Sequence, residues 1–173
     1  MEKVLSNDFM QKIATEKAWK ELSEEFTWSE ALLEKYQDKV DWNEISENRH
    51  IRWTIPMIQK FQNKINWEIF SECAEEETLS IRFIRTFKDK WDWKKLSGNH
   101  DIPLTGELLD EFADNWDWDA IINNYCHSIF EENPIDFYEK YKEHIPVHIL
   151  HDSCLWDSIV KQITKQLTDE ITA

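Results

Sequence analysis

The chain has 173 residues, 41% of them hydrophobic, with 10 Trp, 9 Phe and 4 Tyr, but only 2 Gly and 4 Pro, and its formal net charge is −15. Turn-forming residues are too scarce for a sandwich or barrel of many short strands, so an all-α fold is expected. The negative charge lacks the basic footprint of a nucleic-acid binder and suits a soluble protein or one that meets a basic protein partner.

No window approaches the ~18 apolar residues of a membrane span, and the start Met1-Glu2-Lys3-Val4-Leu5 lacks a leader pattern. A cytoplasmic protein with no membrane contact is expected. Cys73, Cys126 and Cys154 are far apart with no Cys-x-x-Cys among them, the pattern of reduced thiols.

In chain order, residues 1–18 are expected to be an N-terminal cap, with Leu5, Phe9 and Ile13 on one face of an amphipathic helix over 5–18. Residues 19–150 then repeat one motif: an aromatic followed six residues later by Trp, as in Tyr36 and Trp42, Phe61 and Trp67, Phe87 and Trp93, Phe112 and Trp118. The tryptophans stand 25, 26 and 25 residues apart, a period of stacked supersecondary units. Trp19 begins a degenerate first unit, and Val147 replaces Trp in the last.

Within a unit, Ser29, Thr54, Ser80 and Thr105 stand seven before the aromatic as helix N-caps, preceded by Trp28, Trp53, Leu79 and Leu104 in the position of a hydrophobic staple. Apolar residues fall three and four before the aromatic and again four after it, at Val40, Ile65, Trp91, Trp116 and Ile145, which predicts the longer helix of the unit. Asp41, Asn66, Asp92 and Asp117 precede the Trp as caps of a shorter helix. Asn48, Asn99 and Asn124 fit its exit, since Asn tolerates the left-handed conformation. Pro56, Pro103, Pro134 and Pro146 all fall at or just outside predicted helix starts, where a missing N–H costs little. Residues 151–173 form the C-terminal cap, with Leu155, Ile159, Ile163 and Leu167 on one face.

The string Trp91-Asp92-Trp93-Lys94-Lys95-Leu96-Ser97-Gly98-Asn99, echoed from Asp41 to Asn48, resembles the uncharacterised tandem Trp-Asp-Trp-x-x-Leu-Ser-x-Asn repeats of some bacterial and giant-virus proteins, over roughly residues 19–130. The resemblance implies a repeat and no activity. This chain departs from it where Arg49, His100 and Tyr125 replace the proline often found after Asn, and where Cys73 replaces the Asn, so that the third short helix is expected to end differently.

The expectation is one domain, 1–173: an α-helical solenoid of about five ~25-residue helix-turn-helix units between amphipathic terminal helices. Its function is read as a non-enzymatic protein-interaction scaffold presenting an acidic repeat surface, with no cofactor and with an unidentified protein as partner or self-association as an alternative. Residues that differ from unit to unit in the inter-helix loops, Arg49, His50, Arg52, Glu75, Glu76, Glu77, His100 and Asp101, are the candidates for partner contact.

A second reading is an acidic decoy for the groove of a basic nucleic-acid-binding protein. A third is a metal-dependent enzyme using His144, His148 and His151 beside Asp152 and Cys154, because histidines four apart on a helix can share a metal; Pro146 interrupts that helix. Ser23, Ser46, Ser71 and Ser97 recur with the frame and read as structural. Lys35, Lys60 and Lys140 before the aromatic, with Lys39, Lys64 and Lys90 after it, read chiefly as helix C-terminal charge, the alternative being a stripe for an acidic partner.

Overall fold

In the computed structural model, which describes residues 7–124 and 128–173, the capping side chains read from sequence sit at helix starts. Leu5, Tyr125 and Cys126, named above, lie outside the described residues. The described residues form twelve α-helices and no strand: α1 Asp8–Glu25, α2 Glu30–Tyr36, α3 Trp42–Glu47, α4 Ile55–Phe61, α5 Trp67–Cys73, α6 Ile81–Thr86, α7 Trp93–Gly98, α8 Gly106–Glu111, α9 Trp118–Asn123, α10 Pro134–Tyr141, α11 Val147–Leu150 and α12 Cys154–Thr172. Ser29, Thr54, Ser80 and Thr105 accept the backbone N–H three residues on, opening α2, α4, α6 and α8. Asn66, Asp92 and Asp117 do the same for α5, α7 and α9, and Asp41 opens α3 by accepting from Asn43 N, two residues on. Each satisfies a donor that a helix start leaves unpaired.

The predicted contrast of long and short helices is not found among these eight: all have six or seven residues. The chain leaves the helix at or just before the reference aromatic and tightens into a turn. The fourth residue on still donates to the aromatic's carbonyl, Val40 to Tyr36 at 3.2 Å, Ile65 to Phe61 at 3.1 Å and Trp116 to Phe112 at 3.3 Å. Helical spacing of the apolar residues therefore outlives the helix, and Val40, Ile65 and Trp116 are buried in turns.

The Asn exits also differ from expectation. Asn48 and Asn99 are extended, and no described residue has positive φ. Asn48 acts through its side chain: Nδ2 donates to Ser23 O at 2.7 Å and Phe26 O at 3.0 Å, and Oδ1 accepts from His50 N at 2.7 Å. Where Cys73 replaces Asn, α5 runs one residue further than α3.

At the N-terminus, α1 crosses the predicted boundary at residue 18 without a break. Phe9, Met10 and Ile13 are exposed, so neither Phe9 nor Ile13 of the predicted cap seats. In α12 the first apolar pair, Leu155 and Ile159, is buried, whereas Ile163 and Leu167 are exposed. No described helix is long and apolar enough to cross a membrane.

The chain divides into two compact units, Met1–Trp91 and Asp92–Ala173. In the first, α1 packs on α3 and α3 on α5; in the second, α7 packs on α9, α9 on α11 and α12, and α10 on α12. One aromatic contact recurs in both. The Trp that starts a repeat lies tilted on the reference aromatic of the next: Trp19 on Tyr36, Trp42 on Phe61 and Trp67 on Phe87 in the first unit, and Trp93 on Phe112 and Trp118 on Tyr141 in the second. Ring centroids are 4.8–5.6 Å apart and planes inclined by 36–44°.

The six-residue spacing has a separate cause. It lets the indole N–H reach back to the carbonyl just past the preceding aromatic, as Trp42 does to Gln37 at 2.9 Å, Trp67 to Gln62 at 2.8 Å and Trp118 to Ala113 at 2.8 Å. The repeated serines complete the register. Each donates to the Trp carbonyl four residues back, and Ser23, Ser46 and Ser97 accept at 2.9 Å from the backbone N–H of Asp41, Asn66 and Asp117. A buried hydroxyl thus joins one repeat to the next with both its donor and its acceptor used.

Candidate interaction surface

Six of the eight predicted contact residues lie in the loops that leave α3 and α5. In the first unit, Asn48 holds one such loop by its three hydrogen bonds, and the next is closed by the Glu75 carbonyl, which accepts from Thr78 N at 2.9 Å and Leu79 N at 3.0 Å. Together with Thr27 from the loop before, these segments enclose a groove of about 570 Å³.

Ile51, Trp53 and Thr78 are its buried wall, Arg49, His50, Arg52 and Glu77 are exposed, and Glu75 is half-buried. Five of the eight predicted contact residues, Arg49, His50, Arg52, Glu75 and Glu77, therefore share one groove. Glu76 is exposed on the same turn but does not line it. His100 and Asp101 belong to the second unit, where both are exposed; Asp101 N donates to Asn99 Oδ1 at 2.8 Å, and His100 Nδ1 is 3.4 Å from Asn124 Oδ1.

Sequence reading missed Thr27, Ile51, Trp53 and Thr78 as walls of the groove: Trp53 was absorbed by the hydrophobic staple, and the other three have no position in the frame. It also missed a groove of about 720 Å³ in the second unit, bounded by Glu131 and Glu132 before α10 and by Lys161, Gln162, Lys165 and Asp169 of α12. No spacing signal marks those residues.

Lys35, Lys60 and Lys140 stand in the last turns of α2, α4 and α10, as the helix C-terminal reading expects, and several of the lysines also bond across repeats. Lys60 pairs with Glu30 at 3.2 Å and Glu34 at 2.7 Å, Lys64 with Asp38 at 3.3 Å, and Lys140 with Asp110 at 2.8 Å. Lys39 lies over the Trp19 ring and Lys64 over that of Trp42, at 5.4 and 5.8 Å. These ammonium groups bind the preceding repeat and do not form a free cationic stripe. By contrast, Arg49 and Arg52 have no carboxylate within ion-pair distance among the described residues.

His144 stacks on Trp118 at 5.4 Å, with Nδ1 4.0 Å from Asp114; His148 is exposed on α11; and His151 stacks on Trp156, with Nδ1 3.1 Å from Asp152. The three do not converge, and among the described residues no group of three or more His, Cys, Asp or Glu is placed to hold a metal ion. Cys154 is half-buried, its Sγ 3.6 Å from Asn123 O.

Asp110 joins Lys140 and Tyr141 in a polar cluster of the second unit. Hydrogen bonds from Lys140, and secondarily from the Tyr141 hydroxyl at 2.8 Å, hold its carboxyl below the ordinary 3.8. A lowered carboxyl pKa stabilises the fold above the unfolded-state value, and that contribution disappears as pH falls through the folded-state value. In a carboxyl-carbon NMR titration, Lys140→Met is expected to move the Asp110 midpoint upward by more than Tyr141→Phe does; the reverse order would contradict Lys140 as the main cause.

No family model, curated protein or solved structure matches the chain.

Proposed function

We propose that the protein is a non-enzymatic, cytoplasmic helical-repeat scaffold, a solenoid of about five units, that binds a protein partner through its inter-helix loops. The observation that carries this reading is the gathering of Arg49, His50, Arg52, Glu75 and Glu77 on one groove, while the motif's aromatic, serine and lysine side chains are engaged between repeats. Residues absorbed by a repeat frame build it, and those that vary on its loops are free to recognise.

A second reading, an acidic decoy for a basic nucleic-acid-binding protein, is favoured by the charge distribution. Asp92–Ala173 holds 17 of the 35 Asp and Glu but only 6 of the 20 Lys and Arg, a formal −11 in 82 residues. The two readings separate by salt. At about 1 M ionic strength the screening length is ~3 Å, so a partner held mainly by charge is released while one held by a packed contact remains. Capture of the tagged full chain from its native lysate at low and high salt is expected to retain a stoichiometric partner at both. Basic nucleic-acid-binding proteins lost at high salt would replace the scaffold with the decoy.

A further inference from the structure

We infer that the Arg49–Glu77 groove recognises a peptide segment carrying one acidic and one basic side chain, the acidic group meeting Arg49 and Arg52 and the basic group Glu75 and Glu77. The inference rests on the scaffold reading and specifies its partner's chemistry. All four groups line the same cavity of about 570 Å³, and none forms an ion pair among the described residues. Elsewhere in this unit Lys20, Lys60 and Lys64 do find carboxylates, at 2.7–3.3 Å. Opposite charges that share a groove without closing on each other leave room for a ligand to bridge them.

A ligand of one sign would satisfy one wall and be repelled by the other. A segment with both signs satisfies both, which is how charge complementarity selects a partner and its direction. The groove's volume falls in the ~300–1,000 Å³ range of sites that enclose a small ligand or a few residues of chain. The buried Trp53 and Ile51 give the segment an apolar surface to lie against, and the guanidinium fork suits a carboxylate better than an ammonium would.

The test uses the full chain and a library of acetylated, amidated hexapeptides of alanine carrying one Glu and one Arg at varied separation and in both orders, with members bearing only Glu or only Arg. Binding is followed by calorimetry at low salt. Mixed-charge members are expected to bind at least about tenfold tighter than single-charge members, a difference of ~1.4 kcal/mol. Arg49→Glu with Arg52→Glu should abolish that preference, as should Glu75→Arg with Glu77→Arg, and the fourfold exchange should restore it with the preferred peptide order reversed.

Thermal unfolding checks that each variant folds; if a paired variant does not, Arg52→Gln and Glu77→Gln give the same readout at lower amplitude. Absence of binding by every mixed-charge member, equal binding of Glu-only peptides, or indifference to the substitutions would overturn the inference. A lysate partner captured equally by wild type and by Arg49→Glu/Arg52→Glu would leave the scaffold reading standing and remove this groove from it.

Discussion

Phe70→Ala is expected to destabilise the Met1–Trp91 unit by about 3–5 kcal/mol, in the range of aromatic-to-alanine changes in a packed core. Phe70 is 1% exposed and sits where the aromatic contacts of that unit meet. Its ring centroid is 5.7 Å from those of Trp53 and Trp67, 6.4 Å from Phe83 and 5.8 Å from Trp91, the last nearly parallel. Truncation removes the ring's own burial and leaves four neighbours lining a void that short, capped helices cannot easily close. Equilibrium denaturant unfolding reads the cost as a fall in midpoint, and a loss under about 1 kcal/mol would mean that the aromatic cluster is not a cooperative core.

Asn48→Ala is expected to cost about 2–4 kcal/mol despite removing only one small polar group. Asn48 is buried, and its amide serves two carbonyls of the preceding repeat and the His50 N–H of its own loop. Losing it strands those partners, and each buried unpaired group costs roughly 1–3 kcal/mol, reduced where water can enter. Asn48→Asp keeps the acceptor for His50 but sets an anion against two carbonyl oxygens, so it should be no better tolerated than alanine.

Hydrogen exchange separates this effect from general destabilisation. The His50 amide should lose protection in the alanine variant and keep more of it in the aspartate one, while amides of the second unit stay unchanged. Protection at His50 unaffected by alanine would show that the loop bearing Arg49 and His50 is held by something else.

Local features were the legible ones. Cap residues announce themselves because a short oxygen-bearing side chain before an apolar run has one obvious use, and the caps of α2 through α9 lie where the spacing put them. Helix length was not legible. An apolar residue four past Tyr36 or Phe61 looks the same whether the backbone continues as helix or tightens into a turn that keeps the i+4 hydrogen bond. The exit Asn was recognised as an end signal but for the wrong reason, since its contribution is a side-chain bond to residues 22 and 25 positions earlier.

The candidate groove divides the same way. Variation between units marked Arg49, His50, Arg52, Glu75 and Glu77, because departures from a repeat are visible in a single sequence. The packing of successive repeats in the first unit brings residues some 25 positions apart to one cavity. Nothing in the spacing distinguished Glu77 from Glu76, or those residues from His100 and Asp101.

By itself, then, the sequence determined the all-helical class, the ~25-residue register and the caps, because these depend on side chains acting within a few residues of their own backbone. Only the tertiary structure decided that each Trp rests on the next repeat's aromatic, that Lys60, Lys64 and Lys140 are tied to the repeat before, and that Arg49 and Arg52 are not tied to Glu75 or Glu77. Those outcomes depend on distances between helices set by how side-chain volumes pack across repeats, a quantity that a one-dimensional pattern does not contain.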